Sequence, residues 1–258
     1  MQIHILASGS TGNVVLVQMG STKILVDVGI SNRRIEKGLS DLGIRISDLD
    51  GILITHEHSD HINGLDVLVR KHRIPVYTRS RTWQKINCLD RLPAECVKEV
   101  NNSFTLGDVD IVPFSISHDA ADPVGYCFYQ GQSKIVVATD LGIVTPTIES
   151  ALTRADLMVL ESNHDVNMLK NGPYPQFLKQ RIISSKGHLS NWQAGQVLAR
   201  IPHKTGTRVM LAHLSQQNNR PALAHQTVRD VLTIAGLAVG KEILLYPTFP
   251  ERTASVVV

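Results

Sequence analysis

The segment Thr55-His56-Glu57-His58-Ser59-Asp60-His61 decides how this chain is read. Just before it, Ile52–Thr55 has the apolar, β-branched character of a buried strand. The polar cluster therefore begins where a strand ends. A helix is expected from Ile62 to His72, with Leu65, Leu68 and Val69 on one face. In a loop after a strand, His56 and His58 can point to one side, and Asp60 and His61 can turn toward a second position. Imidazoles and carboxylates are the donors that borderline divalent metals select, so the segment reads as a metal-binding loop rather than a surface histidine cluster.

Working outward, the same style recurs. Ile3–Ala7, Val14–Gln18 and Lys23–Asp27 read as short strands, and Ser31–Leu42 as a helix that stops at Gly43. Further on, strands are expected at Ile111–Ser117, Val124–Tyr129, Lys134–Thr139, Leu157–Leu160, Val209–Leu211 and Glu242–Tyr246. Helices are expected at Pro146–Arg154, from a capping box of Ser190 and Gln193 through Arg200, and at Ala222–Ala235. Clusters of strands with helices between them suit two mixed sheets packed face to face with helices outside. The expected organisation is one α/β domain over residues 1–258, its two pseudo-symmetric halves meeting near residue 120. Asn163–Ser185 is the least regular stretch and a candidate lid.

Several further polar residues also sit just past expected strands, and strand ends converge on one edge of a sheet. His118 can complete a first site with His56 and His58. Asp140 can bridge two ions, although read alone it also suits a turn or a helix cap. His213 can close a second site with Asp60, His61 and Asp140. Two ions about 3.5–4 Å apart would hold a hydroxide between them and clamp the leaving oxygen. Asp27 is placed to accept a hydrogen bond from behind the ligands and orient the histidine loop.

Composition bounds the rest. The 258 residues are 43% hydrophobic, enough for a full core, and the net charge of +3 leaves any nucleic-acid footprint to local patches. Cys88, Cys96 and Cys127 form no framework spacing and suit a reducing compartment. The start, MQIHILASGSTGN, is not a signal peptide, and no apolar run is long enough to span a membrane. A cytoplasmic protein is expected.

Taken in order, THEHSDH, Ser117-His118-Asp119, Thr139-Asp140-Leu141-Gly142 and Leu211-Ala212-His213-Leu214-Ser215 resemble the metallo-β-lactamase superfamily. Glu161-Ser162-Asn163-His164-Asp165 and Lys186-Gly187-His188-Leu189-Ser190-Asn191 make the chain most similar to its YycJ/WalJ/VicX group. The resemblance implies a four-layer αββα sandwich and a dinuclear site of zinc or manganese. It also implies phosphodiesterase or DNA exonuclease activity, with nucleic acid as the substrate. Carried over residue by residue, the metal ligands are His56, His58, Asp60, His61, His118, Asp140 and His213, and the catalytic group is Asp60, His188 and Glu161. His188 matches a histidine that touches the scissile phosphate or protonates the leaving oxygen. Glu161 would orient it. His164 either lines the cleft or only orders its own loop.

Other features weigh less. Ser8-Gly9-Ser10-Thr11-Gly12-Asn13 lacks the ending of a P-loop, yet its backbone N–H groups and Ser10, Thr11 and Asn13 could meet a substrate phosphate. Arg70-Lys71-His72-Arg73 could track a nucleic-acid backbone but reads better as a solvated helix end. Tyr77, Trp83 and Trp192 are expected in the core rather than stacked on bases. The alternatives to phosphodiester hydrolysis are thioester or lactone hydrolysis on the same scaffold, and a non-catalytic domain that binds metal and a partner. A β-lactamase proper usually places a cysteine where Asp140 stands.

Overall fold

The computed structural model describes residues 1–250 and 252–258. Apolar alternation explains its layers. Along the first strand Ile3 and Ile5 turn one way and Leu6 the other; along the second, Val15 and Val17 oppose Val14 and Leu16. Both faces of these strands are therefore apolar, and each must be covered.

The strands are β1 (Gln2–Ala7), β2 (Val14–Met19), β3 (Thr22–Val26), β4 (Gly51–Leu53), β5 (Val76–Thr78) and β6 (Val97–Glu99). Then come β7 (Phe104–Leu106), β8 (Val109–Ser115), β9 (Val124–Gln130), β10 (Ser133–Ala138), β11 (Leu157–Glu161), β12 (Thr207–Ala212), β13 (Ile243–Pro247) and β14 (Ala254–Val257). One sheet has the order β14-β1-β2-β3-β4-β5-β6 and the other β13-β12-β11-β10-β9-β8-β7. Ile3, Ile5, Val17, Ile111, Tyr126 and Phe128 fill the space between the sheets. Helices cover the outer faces: Ile35, Leu39, Leu65 and Leu68 on the first sheet, Ile148, Val197, Leu198 and Val228 on the second. This is the expected four-layer αββα arrangement.

Two corrections follow. The sheets change hands between Glu99 and Phe104 rather than near 120, because β7 pairs with β8 and β8 with β9. The helix expected over Ile62–His72 is two pieces, Ser59–Ile62 and Leu65–His72. Gly64 separates them; a Cβ there would lie 2.3 Å from the Ile30 carbonyl oxygen. The Gly64 N–H instead donates to the Val28 carbonyl at 2.8 Å, docking the histidine loop on the end of β3.

Asn163–Ser185 is not a loose lid. It carries helices Val166–Asn171 and Gln176–Ile183, with Leu169 and Ile182 buried. Ser117 Oγ donates to the Ser185 carbonyl at 2.6 Å, and Arg181 Nε to Asp119 at 2.6 Å. Trp83 is buried as expected. Trp192, expected in the core, is 51% exposed at the start of the helix Asn191–Arg200. Ser190 and Gln193 form the expected capping box. The Arg70–Arg73 run is answered by carboxylates: Arg70 by Asp66, Lys71 and His72 by Glu36, Arg73 by Glu95.

Candidate metal centre

Parallel pairing aligns the carboxyl ends of β3 and β4, and of β10, β11 and β12; β8 shares that direction through the antiparallel β9. The two sheets are stitched together at this edge, where Val124 N–H donates to the Thr55 carbonyl at 3.0 Å and Tyr126 O–H to the Ile54 carbonyl at 2.8 Å. The polar residues that follow these strands therefore meet.

Every residue expected as a ligand is brought to this edge. Donor atoms within 4.8 Å of one another form the sets His56/His58/His118, His56/His61/Asp140, Asp60/His61/His213 and Asp140/Glu161/His188/His213. His61 Nε2 lies 3.4 Å from Asp140 Oδ2 and 3.5 Å from Asp60 Oδ2. His118 Nε2 lies 3.7 Å from Asp140 Oδ1, and His213 Nε2 lies 3.8 Å from Asp60 Oδ2. His56 Nε2 faces His58 Nδ1 at 3.0 Å.

Four of the rings share one orientation. His61 Nδ1 donates to Asp27 Oδ2 at 2.8 Å, and His213 Nδ1 to Glu161 Oε1 at 2.8 Å. His118 Nδ1 donates to the Gly187 carbonyl at 3.3 Å. Thr55 Oγ1 spends its proton on Asp27 and so accepts from His56 Nδ1 at 3.0 Å. Four buried imidazoles thus have Nδ1 tied outward and Nε2 turned toward the shared space. Metal-ligating histidines are held this way by a second acceptor. Asp27 sits behind His61 and accepts from its Nδ1 and from Thr55. The Glu161 tie to His213, and the parts of Thr55 and Gly187, were missed; a hydroxyl or carbonyl acting from behind leaves no signal in spacing.

Glu161 is fully buried at the end of β11. Its Oε1 also accepts from His188 Nδ1 at 2.9 Å and Asp140 N–H at 3.2 Å, and its Oε2 from Leu141 N–H at 2.8 Å and Leu189 N–H at 2.9 Å. One carboxylate thereby fixes two histidines and the Asp140 turn. Asp27, Asp140 and His213 adopt left-handed backbone conformations, with φ of 59°, 60° and 56°. Non-glycine residues there are strained, and such strain collects at functional sites.

Electrostatics agree with the donor geometry. Burial opposes charge on His213, yet Asp140, Asp60 and Glu161 lift it to about 10. Burial likewise opposes charge on His61, but Asp27 and Asp140 hold it well above its ordinary value. Burial would raise Glu161; the His188 and His213 imidazoles pull it down to about 2. Burial, reinforced by the neighbouring His61, keeps His56 well below its ordinary value. Among the described residues, Asp140 Oδ2 and His213 Nε2 are buried with no hydrogen-bond partner. Such orphans are costly unless something binds them. An imidazole–carboxylate set with unpartnered, inward-facing donors fits divalent cations.

A family model described as the β-lactamase superfamily domain matches residues 22–214. The chain belongs to the β-lactamase superfamily. Exodeoxyribonuclease YycJ of Bacillus anthracis is 38% identical over 259 residues, spanning 99% of this chain and 98% of that protein. Exodeoxyribonuclease WalJ of Streptococcus pneumoniae serotype 2 is 39% identical over 252 residues, spanning 96% and 94%. These place the chain in the YycJ/WalJ-like group. Zn²⁺-bound PqqB of Methylobacterium extorquens shares the fold, with a TM-score of 0.71 at 16% identity over 98% of this chain and 99% of that one.

In this superfamily member the expected substrate contacts divide. Ser10 is exposed and lines the cavity beside His188. Thr11 is exposed, and its Oγ1 accepts from Gln216 at 3.4 Å. Asn13 does not reach out to a substrate. It is 5% exposed, takes the Gly9 N–H on Oδ1 at 2.9 Å, and directs Nδ2 at Asp60 and His61, because the Gly12 turn folds it under the histidine loop. His164 is 2% exposed and bridges to Ser190, so it orders its own loop rather than lining the cleft; burial lowers its pKa to about 4. Among the described residues, no helix is long and apolar enough to cross a membrane.

Proposed function

We propose that this protein is a metal-dependent phosphodiesterase that acts as a DNA exonuclease, with His56, His58, Asp60, His61, His118, Asp140 and His213 holding two divalent ions, zinc or manganese. The observation that carries the reading is His188. It stands beside the ligand set, its ring centroid 5.2 Å from those of both His118 and His213. Its Nδ1 is committed to Glu161, so Nε2 is the atom left for a substrate, and the side chain is 20% exposed at the cavity. The two relatives that match nearly the whole chain are named exodeoxyribonucleases.

Bound at these donors, divalent ions would supply a nucleophile from water and Lewis-acid stabilisation of phosphoryl charge. The protein's own groups do the rest. Glu161 holds His188 through Nδ1, so that Nε2 is the atom that meets the phosphate or the departing oxygen. Asp27 and Glu161 keep His61 and His213 pointing inward. Asn13 holds the Asp60 carboxylate in place.

Purified protein with Mn²⁺ or Zn²⁺ is incubated with end-labelled single- and double-stranded DNA. Stepwise shortening, lost in His188→Ala and in Asp60→Ala, is expected. Bound metal without cleavage of DNA, RNA or a simple phosphodiester would overturn the reading in favour of thioesters or lactones.

A further inference from the structure

The cavity beside His188 has a volume of about 220 Å³. Its apolar lining is Tyr174, Leu178 and Ile182, and its neutral polar lining is Ser10, Asn163 and Ser215. Its charged lining is Arg181 and the Asp119 carboxylate paired with it. Asp119 takes the Arg181 Nε–H at 2.6 Å; among the described residues, nothing accepts from the two Nη groups. An aromatic ring with aliphatic neighbours, two hydroxyls, an amide and a single guanidinium suits a base and sugar with one adjoining phosphate. A phosphate cluster would call for more cations, and an acyl chain for fewer hydrogen-bonding groups.

Size and rigidity set how much of a strand fits. The volume falls below the about 300–1,000 Å³ of sites for drug-sized ligands, which leaves room for about one nucleoside. The wall cannot easily retreat. A Cβ on Gly187 would lie 2.1 Å from the Ile182 carbonyl oxygen, and one on Gly142 2.1 Å from that of Ser185. The turn before His188 is therefore pressed directly onto the Asp140 loop, and Ser117 Oγ pins Ser185 from the same side.

We infer that this cavity is an end-binding pocket that takes the terminal nucleoside of a DNA strand, stacked on Tyr174, with the adjoining phosphate between Arg181 and His188. The inference rests on the phosphodiester reading above and adds to it the reason an end, rather than an internal position, is cut.

The test compares kcat/KM on an end-labelled oligonucleotide with kcat/KM on methyl p-nitrophenyl phosphate, a diester without a nucleoside, both with Mn²⁺. For Tyr174→Ala the ratio of the two falls about five- to 150-fold, the range for losing one base–aromatic stack. Tyr174→Phe, which keeps the ring, holds the ratio within about threefold of wild type. Leu178→Trp, which fills the cavity, lowers the ratio as Tyr174→Ala does. A ratio unchanged in Tyr174→Ala, or a Phe variant as impaired as the Ala variant, overturns the pocket while leaving the phosphodiester reading intact. A wild-type protein that cleaves neither substrate overturns both.

Discussion

Glu161→Gln changes one atom and should disable the centre from behind. The wild-type carboxylate accepts five N–H groups, from Asp140, Leu141, Leu189, His188 and His213. An amide offers one oxygen. If that oxygen keeps Leu141 and Leu189, its NH₂ faces His188 Nδ1 and His213 Nδ1, and both rings must move their proton to Nε2 to accept from it. A His213 protonated on Nε2 cannot ligate through that atom. If the amide is turned around, two buried backbone N–H groups lose their acceptor. Hydrogen bonds to charged groups contribute about 1.5–3 kcal/mol each, so the loss of two destabilises the chelator-treated protein by about 3 kcal/mol or more. Metal affinity falls by about 10- to 100-fold, the usual result of removing the partner behind a metal-bound histidine. Denaturant melts in chelator read the first quantity, and competition with a chromophoric chelator reads the second. An affinity within about threefold of wild type would show that Glu161 does not set the His213 tautomer, and would refute the reasoning.

Four further outcomes are expected. Gly29→Ala places a Cβ 1.6 Å from the Asp60 carbonyl oxygen, where only backbone can give way; a loss of about 3 kcal/mol or more in thermal melts, with weakened metal binding, follows, and a wild-type melt contradicts it. Because His213 keeps its proton up to about pH 10, ligation must expel it, so metal affinity rises with pH and protons are released near pH 7.5; calorimetry in buffers of different ionisation enthalpy counts them, and none released would contradict the ligand assignment. In chelator the same raised value contributes stability that is complete below pH 6.5 and lost as pH rises through about 10. Cys88, Cys96 and Cys127 are buried, and burial raises each thiol, Cys127 to about 11, so a thiol reagent at pH 8 labels none of them until denaturant is added; labelling of the native protein would contradict the packing.

The sequence made the candidate ligands legible because each follows a run of β-branched residues, and His56 to His61 fall within one loop. It also showed both sheet faces, through the alternation of Val14, Val15, Leu16 and Val17. What alternation carries is inside or outside a sheet, not how loops stack beyond its edge. Asn13 therefore read as a substrate contact, although its turn folds it under Asp60. Glu161 was tied to His188 but not to His213, since nothing in spacing reveals a carboxylate shared by rings 27 and 52 residues further along the chain: 161 and 213 meet only because β11 and β12 are parallel neighbours. Trp192 looked like core because tryptophan usually is, and the exposed edge strand β6, Val-Lys-Glu, has too little apolar content to announce itself.

Asp27, Asp140 and His213 share more than the centre they build; each holds a backbone conformation that glycine would adopt at less cost. Glycine at 27 or 213 would relieve that strain but would strip buried groups of their partners, Thr55 and His61 in front of Asp27 and Glu161 behind His213. Backbone strain and side-chain hydrogen bonding thus pull in opposite directions on the same residues, and it is the side chain's bonds that keep a costly backbone conformation in place.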